Sequence, residues 1–151
     1  MTQVDFYILA ENSRREINQM VCLLCEKALA QAMNVLIYTH SSTQAQQLDD
    51  LLWTFKNDSF IPHKNQFRES HIDDSHFYYP VLICHSNNTR PDILAQYKQL
   101  LINLSNESPA FISQFKRTAE LVDSNDEEKK IARNRYRYYQ QKGYTLNTYD
   151  L

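Results

Sequence analysis

The sequence predicts an α/β fold, in which a single domain is built on a mostly parallel β-sheet flanked by helices. Runs of β-branched and aromatic residues alternate with stretches of helical periodicity, in the order strand, helix, strand, helix. The run at 34–39 is mostly apolar, which is typical of a strand covered on both faces. With 151 residues, 42% of them hydrophobic and 23% charged, the chain suits one globular domain with its own core.

The first strand and the first helix are predicted within the first 32 residues. The run VDFYIL at 4–9 has the composition of a strand. A helix is expected from about 14 to 32, because Ser13 followed by Glu16 matches a capping box. Its buried positions, assigned by helical spacing, are Ile17, Met20, Val21, Leu24, Ala28 and Leu29.

Cys22 and Cys25 in this helix have the CxxC spacing of redox pairs. Redox pairs lie at helix N-termini, where the dipole lowers the thiol pKa, whereas these two lie mid-helix in an apolar stretch. We therefore interpret them as core residues. Together with Cys84 they make three cysteines in a chain with no recognisable secretory signal and no run long and apolar enough to span a membrane. Reduced thiols and a cytoplasmic location are expected.

The second strand and helix complete the βαβα order. NVLIYT at 34–39 is the strand, and the helix is expected to be capped by Ser42 or Thr43 and to run through Phe55. The polar stretch 56–79 shows little periodicity and is predicted to be a long connection. Connections of this length inside a compact domain are uncommon unless they have a function.

Shorter elements are predicted after residue 80. Apolar runs indicate strands, and a Ser-Pro pair marks the start of a short helix. In order, the predictions are a strand at 81–84, a short helical segment within 91–99, a strand at 100–104, a short helix from Ser108-Pro109 through Phe115 and an edge strand at 118–122.

The stretch 126–148 carries the strongest functional signal. It opens with three acidic residues and continues with six cations and no anion, a charge order that suits the helix macrodipole. Gly143, the only glycine of the chain, lies where a glycine after the helix C-cap is expected. Helical spacing predicts that one face carries Lys129, Arg133, Tyr136, Arg137 and Gln140.

Three interpretations of this helix are open from its residues. It can be a solvated surface helix whose tyrosines pack on the core. It can bind an acidic partner with an apolar end, because cations and flat apolar rings lie side by side. It can also bind single-stranded nucleic acid, because Arg and Tyr suit phosphates and stacked bases. The net charge of −2 argues against the last interpretation.

Nucleotide binding and metal chemistry are not predicted. Phosphate-binding turns of α/β folds need several glycines, whereas the first two strands are followed by Ala-Glu-Asn-Ser and His-Ser-Ser. The acidic and histidine side chains near residue 70 match no zinc-ligand spacing, so no metal and no cofactor are expected. The cluster comprises His71, Asp73, Asp74 and His76. The remaining alternative is that the protein is a small metal-dependent enzyme that uses this cluster.

Several segments along nearly the whole chain form a recognisable series. They are VDFYIL at 4–9, CE at 25–26, LLW at 51–53, SFIPH at 59–63, PVLI at 80–83, LINL at 101–104, ARNRYRYY at 132–139 and GYTLNT at 143–148. In this order they resemble the chi subunit family of bacterial DNA polymerase III. The resemblance implies one chi-like domain over 1–151, a Rossmann-like three-layer sandwich with no nucleotide-binding loop. It also implies an accessory protein with no catalytic activity of its own.

The resemblance implies two partners as well. Family members bind the psi subunit, which tethers them to the clamp loader. They also bind the acidic C-terminal tail of single-stranded-DNA-binding protein, which ends in an apolar dipeptide with a terminal Phe carboxylate. No membrane partner and no direct contact with nucleic acid are implied.

Carried onto this sequence, the family's binding site for this tail comprises apolar walls, cations and one residue of the closing segment, 144–151. Arg133 is expected to hold the terminal carboxylate, because a planar guanidinium can bind both oxygens. Gln140 stands where the family has a further cation. The predicted peptide-binding residues are Trp53, Phe60, Val122, Lys129, Arg133, Tyr136, Arg137 and Thr148.

Overall fold

The computed structural model describes residues 2–10, 16–54, 63–65, 80–84 and 95–150, including all side chains in these ranges except those at 53–54 and 63–65. The described residues form strands, α-helices and one short 3-10 helix. In chain order the elements are β1 (Gln3–Ile8), α1 (Ile17–Ala30), β2 (Val35–Tyr38), α2 (Ser42–Thr54), β3 (His63–Asn65), β4 (Val81–Cys84), β5 (Leu100–Asn103), the 3-10 helix (Ile112–Gln114), β6 (Arg117–Val122), α3 (Asp126–Gln141) and β7 (Thr145–Asp150).

The strands build one sheet in the order β3-β4-β2-β5-β6-β1-β7. Every strand pairing in the described sheet is parallel, which confirms the predicted α/β class. β1 lies between the last two strands of the chain, so residues more than a hundred positions apart are direct neighbours. β7 closes the sheet at one edge. The carboxyl ends of β1, β6 and β7 therefore meet at the same end of the sheet.

The core consists of two apolar layers, one on each face of the sheet. Alternate strand residues point to opposite faces. In β2, for example, Val35 packs with α1 and α2, whereas its neighbour Leu36 packs with residues of α3 such as Ala132 and Tyr139. Helices therefore cover both faces, as the predicted Rossmann-like three-layer sandwich requires.

The helix α1 begins at Ile17, three residues later than predicted, and its N-cap is Glu16 rather than Ser13. The Glu16 N–H donates to the Gln19 side chain over 3.2 Å, so this pair supplies the capping contact expected of Ser13. Ser13 itself lies outside the described residues. The helix ends at Ala30, because Ala32 adopts a φ of 58° and turns the chain into the left-handed region.

The buried side of α1 is rotated slightly from the predicted one. Val21 and Ala28 are buried as expected, but Met20 and Leu24 are only partly buried. The two cysteines take their place. Cys22 and Cys25 are both inaccessible to solvent, which confirms their interpretation as core residues.

Burial makes these thiols poor nucleophiles. It raises the pKa of the Cys22 thiol to about 12 and raises the pKa of Cys25 as well. Because the thiolate is the reactive form, we expect the native protein at about pH 8 to leave Cys22, Cys25 and Cys84 unmodified by an aromatic disulfide reagent. The absorbance of the released thiol measures this, and all three cysteines should react once guanidinium unfolds the chain. A native cysteine that reacts as fast as free cysteine would contradict the core assignment.

The helix α2 begins at Ser42 and is capped one residue earlier than predicted. The Ser41 Oγ accepts a hydrogen bond from the Gln44 N–H at 3.1 Å, so Ser41 is the capping residue and the prediction of Ser42 or Thr43 was wrong. A run of three hydroxyl residues at 41–43 offers three candidates, and spacing alone does not distinguish them.

Three predictions about the later elements were wrong or incomplete. The connection at 56–79 contains a strand, β3, which pairs with β4. The predicted edge strand at 118–122 is β6, and it lies inside the sheet between β5 and β1. The closing segment, for which no element was predicted, forms β7 at the edge. In each case the pairing partner is distant in sequence.

The remaining elements agree with the predictions where they are described. β4 and β5 lie at the predicted positions, and the short helix after Ser108-Pro109 is the 3-10 helix. Of the helical segment predicted within 91–99, only 95–99 is described, and it contains a turn and a bend. No helix in the described ranges is both long and apolar enough to cross a membrane.

Candidate functional site

The helix α3 forms where its charge order predicts. The Asn125 side chain caps it by accepting a hydrogen bond from the Glu128 N–H at 2.7 Å, and three acidic residues occupy the first turn. The helix ends at Gln141, and Gly143 follows with a φ of 82°, a value that favours glycine. The predicted helix and the position of its glycine are confirmed.

The rotation of α3 about its axis is set by a buried polar network. Glu120 of β6 is fully buried and accepts hydrogen bonds from the Tyr139 hydroxyl and, at 2.9 Å, from the Asn103 side chain. The Arg135 Nη2 lies 3.1 Å from Glu120 Oε2. Arg135 and Tyr139 are one turn apart, so both point toward the sheet. Arg135 is therefore buried and does not contribute to the exposed cationic surface of α3.

Burial is also the main influence on these ionisable groups. It raises the pKa of the Glu120 carboxyl, an effect that the charge of Arg135 opposes. Burial, followed by the nearby Glu120 charge, likewise raises the pKa of the Tyr139 hydroxyl. Among the described residues, Glu120 Oε2 and Arg135 Nε make no hydrogen bond, so charge is the main attraction within this ion pair.

A cavity of about 350 Å³ opens between α3 and the carboxyl ends of β1, β6 and β7. Strand register brings its floor together, because Ile8 pairs with both Val122 and Asp150. Ligands of open α/β sheets bind at this end of the strands. The residues that line the cavity are Phe6, Ile8, Val122, Lys129, Ala132, Arg133, Tyr136, Thr148 and Asp150.

The cavity combines an apolar floor with cations on the helix wall. The ring of Phe6 lies 5.4 Å from the ring of Tyr136, in a tilted arrangement. Lys129 and Arg133, one turn apart on α3, line the same cavity. Within the part of the chain that the structure describes, neither cation takes part in an ion pair. Both charges are therefore available to an anionic ligand.

The structure brings five of the eight predicted site residues to this cavity: Val122, Lys129, Arg133, Tyr136 and Thr148. Arg137 is exposed on the next turn of α3 and does not line it. Trp53 belongs to α2, which packs on the other face of the sheet, and its side chain is not among those described. Phe60 lies outside the described residues. For Trp53 and Phe60 the predicted role stays a prediction.

Four further residues line the cavity without having been predicted: Phe6, Ile8, Ala132 and Asp150. The alternation of VDFYIL signals that Phe6 and Ile8 share a face of β1. Ala132 follows from helical spacing, since it lies between Lys129 and Tyr136 on one side of α3. For Asp150 the sequence carries no signal, because its position depends on β7 pairing with β1.

No metal centre is found in the described ranges. These ranges contain no group of three or more His, Cys, Asp or Glu residues arranged to hold a metal ion. The predicted cluster of His71, Asp73, Asp74 and His76 lies outside the described residues.

Together, the sheet order and the cavity define a Rossmann-like α/β domain with a cationic, apolar groove at the carboxyl edge of its sheet. Comparison with known proteins gives the family. Residues 1–147 match the family model described as "DNA polymerase III chi subunit, HolC". The chain therefore belongs to the DNA polymerase III chi subunit family, and this membership implies an accessory role in DNA replication.

Individual relatives are similar over nearly their entire length. The DNA polymerase III subunit chi of Pseudomonas aeruginosa is 33% identical over 151 residues, which cover 100% of this chain and 98% of the relative. The protein of the same name from Haemophilus influenzae is 31% identical, covering 95% of this chain and 94% of its own. The subunit of the same name from Escherichia coli is 28% identical, and the match covers 98% of this chain and 97% of the relative.

Proposed function

We propose that this protein is a non-enzymatic accessory subunit of the DNA polymerase III clamp-loader complex, which connects the psi subunit to the acidic C-terminal tail of single-stranded-DNA-binding protein. The observation that carries the proposal is the groove. It joins an apolar floor to two cations that are unpaired among the described residues. A peptide that ends in an apolar residue with a free carboxylate, preceded by acidic residues, has the complementary chemistry.

The size and position of the groove support a peptide end as its ligand. A volume of about 350 Å³ is at the lower end of the range for small-molecule pockets, so it suits one or two side chains. Val122 and Phe6 would contact the apolar terminal side chain, and Arg133 would bind the carboxylate with both guanidinium nitrogens. Lys129 adds a second cation one turn away. Binding would then require both the side chain and the carboxylate.

The remaining parts of the proposal extend this site. Arg137, exposed one turn beyond Arg133, would bind an acidic side chain of the tail, and Thr148 would contact the peptide from β7. Trp53 and Phe60 would add apolar contacts to the peptide. The chain would act as a single chi-like domain over 1–151, in the cytoplasm, with psi bound at a second surface and without a cofactor.

The test is fluorescence anisotropy with a labelled tail peptide, titrated with the protein at low and moderate salt. We expect the complete peptide to bind with a Kd on the order of micromolar. The same peptide without its terminal Phe should bind at least about tenfold more weakly, because it loses the buried ring. Equal binding of both peptides would contradict the assignment of the groove.

Single-stranded DNA is the second candidate ligand, favoured by the outer surface of α3. Tyr138 is 45% exposed, and the Lys142 ammonium lies 5.5 Å from the centre of its ring. An exposed ring next to cations can stack on a base. The same titration with a labelled oligonucleotide distinguishes the two functions. DNA binding with a steep salt dependence and no tail binding would favour the second function.

A further inference from the structure

Asp150, the last residue of β7, brings a negative charge into a cavity whose other lining residues are cationic or uncharged. Alternate residues of a strand point to the same face. Leu146 packs in the layer beneath α3, and Thr148 and Asp150 follow it on the same face, so both line the cavity from the β7 side. The groove therefore has a cationic wall on α3 and an anionic position on β7.

The charges of the two walls do not neutralise one another. In the ranges that the structure describes, Asp150 forms no ion pair with Lys129 or Arg133. A carboxylate that enters the groove is attracted by the helix wall and repelled by the strand wall. The anion thus makes the two sides of the groove different for an acidic ligand.

We propose that Asp150 is a specificity-determining residue of this groove, which penalises acidic side chains placed along β7 and so confines the carboxylates of the ligand to the α3 wall. This inference rests on the proposed function of the groove as a site for an acidic peptide end. It adds the orientation in which the peptide lies. Peptide residues against β7 would be neutral, and acidic residues would follow Lys129, Arg133 and Arg137 along the helix.

The effect is electrostatic, so it has an expected size and salt dependence. Unit charges separated by roughly 8–10 Å in a water-like medium repel enough to change binding about twofold. We therefore expect Asp150→Asn to tighten binding of an acidic peptide about two- to threefold at low salt. Asp150→Lys should tighten it further, to about three- to tenfold. Both gains should shrink at high salt, where the Debye length falls to a few ångströms, about 3 Å at 1 M.

The experiment compares two synthetic peptides by anisotropy with the full-length protein. The first has consecutive aspartates followed by an apolar dipeptide that ends in Phe with a free carboxylate. The second has asparagines in place of the aspartates and keeps the same end. The control variant is Asp50→Asn, which removes one exposed acidic charge from α2 on the opposite face of the sheet. Thermal unfolding of each variant establishes that the fold is kept.

The outcomes separate this inference from the proposed function. The inference is supported if the Asp150 variants tighten binding of the aspartate peptide more than that of the asparagine peptide, in the order Lys above Asn, while Asp50→Asn changes neither affinity. It is overturned if Asp150→Asn leaves that affinity unchanged or weakens it, or if both peptides gain equally. If the wild-type protein binds neither peptide, the proposed function itself fails.

Discussion

Replacing Glu120 by Gln is expected to lower the free energy of unfolding by about 3–5 kcal/mol, because it leaves the Arg135 guanidinium buried without a counter-charge. Glu120 is fully buried, and Arg135 is 9% exposed. The guanidinium cannot lose its proton at any usable pH, so the variant has no way to remove the charge except by opening the structure. Guanidinium-induced unfolding followed by far-ultraviolet circular dichroism measures the loss.

The matched control is Glu127→Gln, which removes the same charge from an exposed position of α3. We expect the free energy of unfolding of this variant to remain within about 0.5 kcal/mol of the wild-type value. A loss for Glu120→Gln as small as that of the control would contradict the role of the network in holding α3 on the sheet.

The partner variant Arg135→Met should behave differently, because the carboxyl that remains can take up a proton. Burial already raises the Glu120 pKa above its unfolded value, and removal of the Arg135 charge raises it further. A carboxyl with a raised pKa contributes its stability below the unfolded pKa and loses it as the pH rises through the folded pKa. The deficit of Arg135→Met relative to wild type should therefore be smallest in acid and grow toward neutral pH. A deficit independent of pH would contradict this assignment.

Replacing Arg133 by Ala is expected to weaken binding of the acidic tail peptide by about 1–3 kcal/mol, which is roughly 5- to 150-fold in Kd. The loss is large because Arg133, although exposed, lines the cavity and is unpaired among the described residues, so both of its guanidinium nitrogens can bind the terminal carboxylate. Arg133→Lys should recover part of the affinity, since a lysine restores the charge but not the two-pronged contact. Anisotropy titration measures the Kd of the peptide for the wild type and for both Arg133 variants.

Arg137→Ala is the matched control for this prediction. Arg137 lies on the same helix, one turn further, and is exposed like Arg133, but it does not line the cavity. Contacts between exposed charges contribute about 0.2–1 kcal/mol, so its loss should be smaller and should disappear at high salt. If the two variants lose the same affinity, the helix is a general basic surface and the cavity is not the carboxylate site. An unchanged affinity for Arg133→Ala, with the fold intact, would discard the assignment of Arg133.

Much of the fold could be predicted because its signals are local. β2, β4 and β5 were predicted to within two residues of their observed bounds, since strands buried on both faces are nearly continuous apolar runs. α3 was predicted from its acidic first turn and from Gly143. Where the local signal was ambiguous, as among the hydroxyl residues at the start of α2, the predicted cap was displaced by a residue or two.

The elements that were misplaced depend on partners distant in sequence. β6 contains Glu120, which argues against a central strand until Asn103, Arg135 and Tyr139 are known to satisfy that carboxylate. β7 is polar and exposed, and it is a strand because β1 provides its hydrogen bonds. Neither the partners of Glu120 nor the pairing of β7 with β1 can be predicted from the residues next to them in the sequence.

The candidate site likewise has one part with a local sequence signal and another that depends on residues distant in sequence. The helix wall could be predicted from local sequence, because Lys129, Arg133 and Tyr136 recur at helical spacing and the spacing fixes which residues share a helix face. The floor and the second wall depend on strand pairing, and of their residues only Val122 and Thr148 had been expected there, from the family resemblance. Phe6, Val122 and Asp150 meet because β1 pairs with β6 on one side and with β7 on the other. Strand register is a long-range property, set by burying both sheet faces at once, so no stretch of sequence contains it.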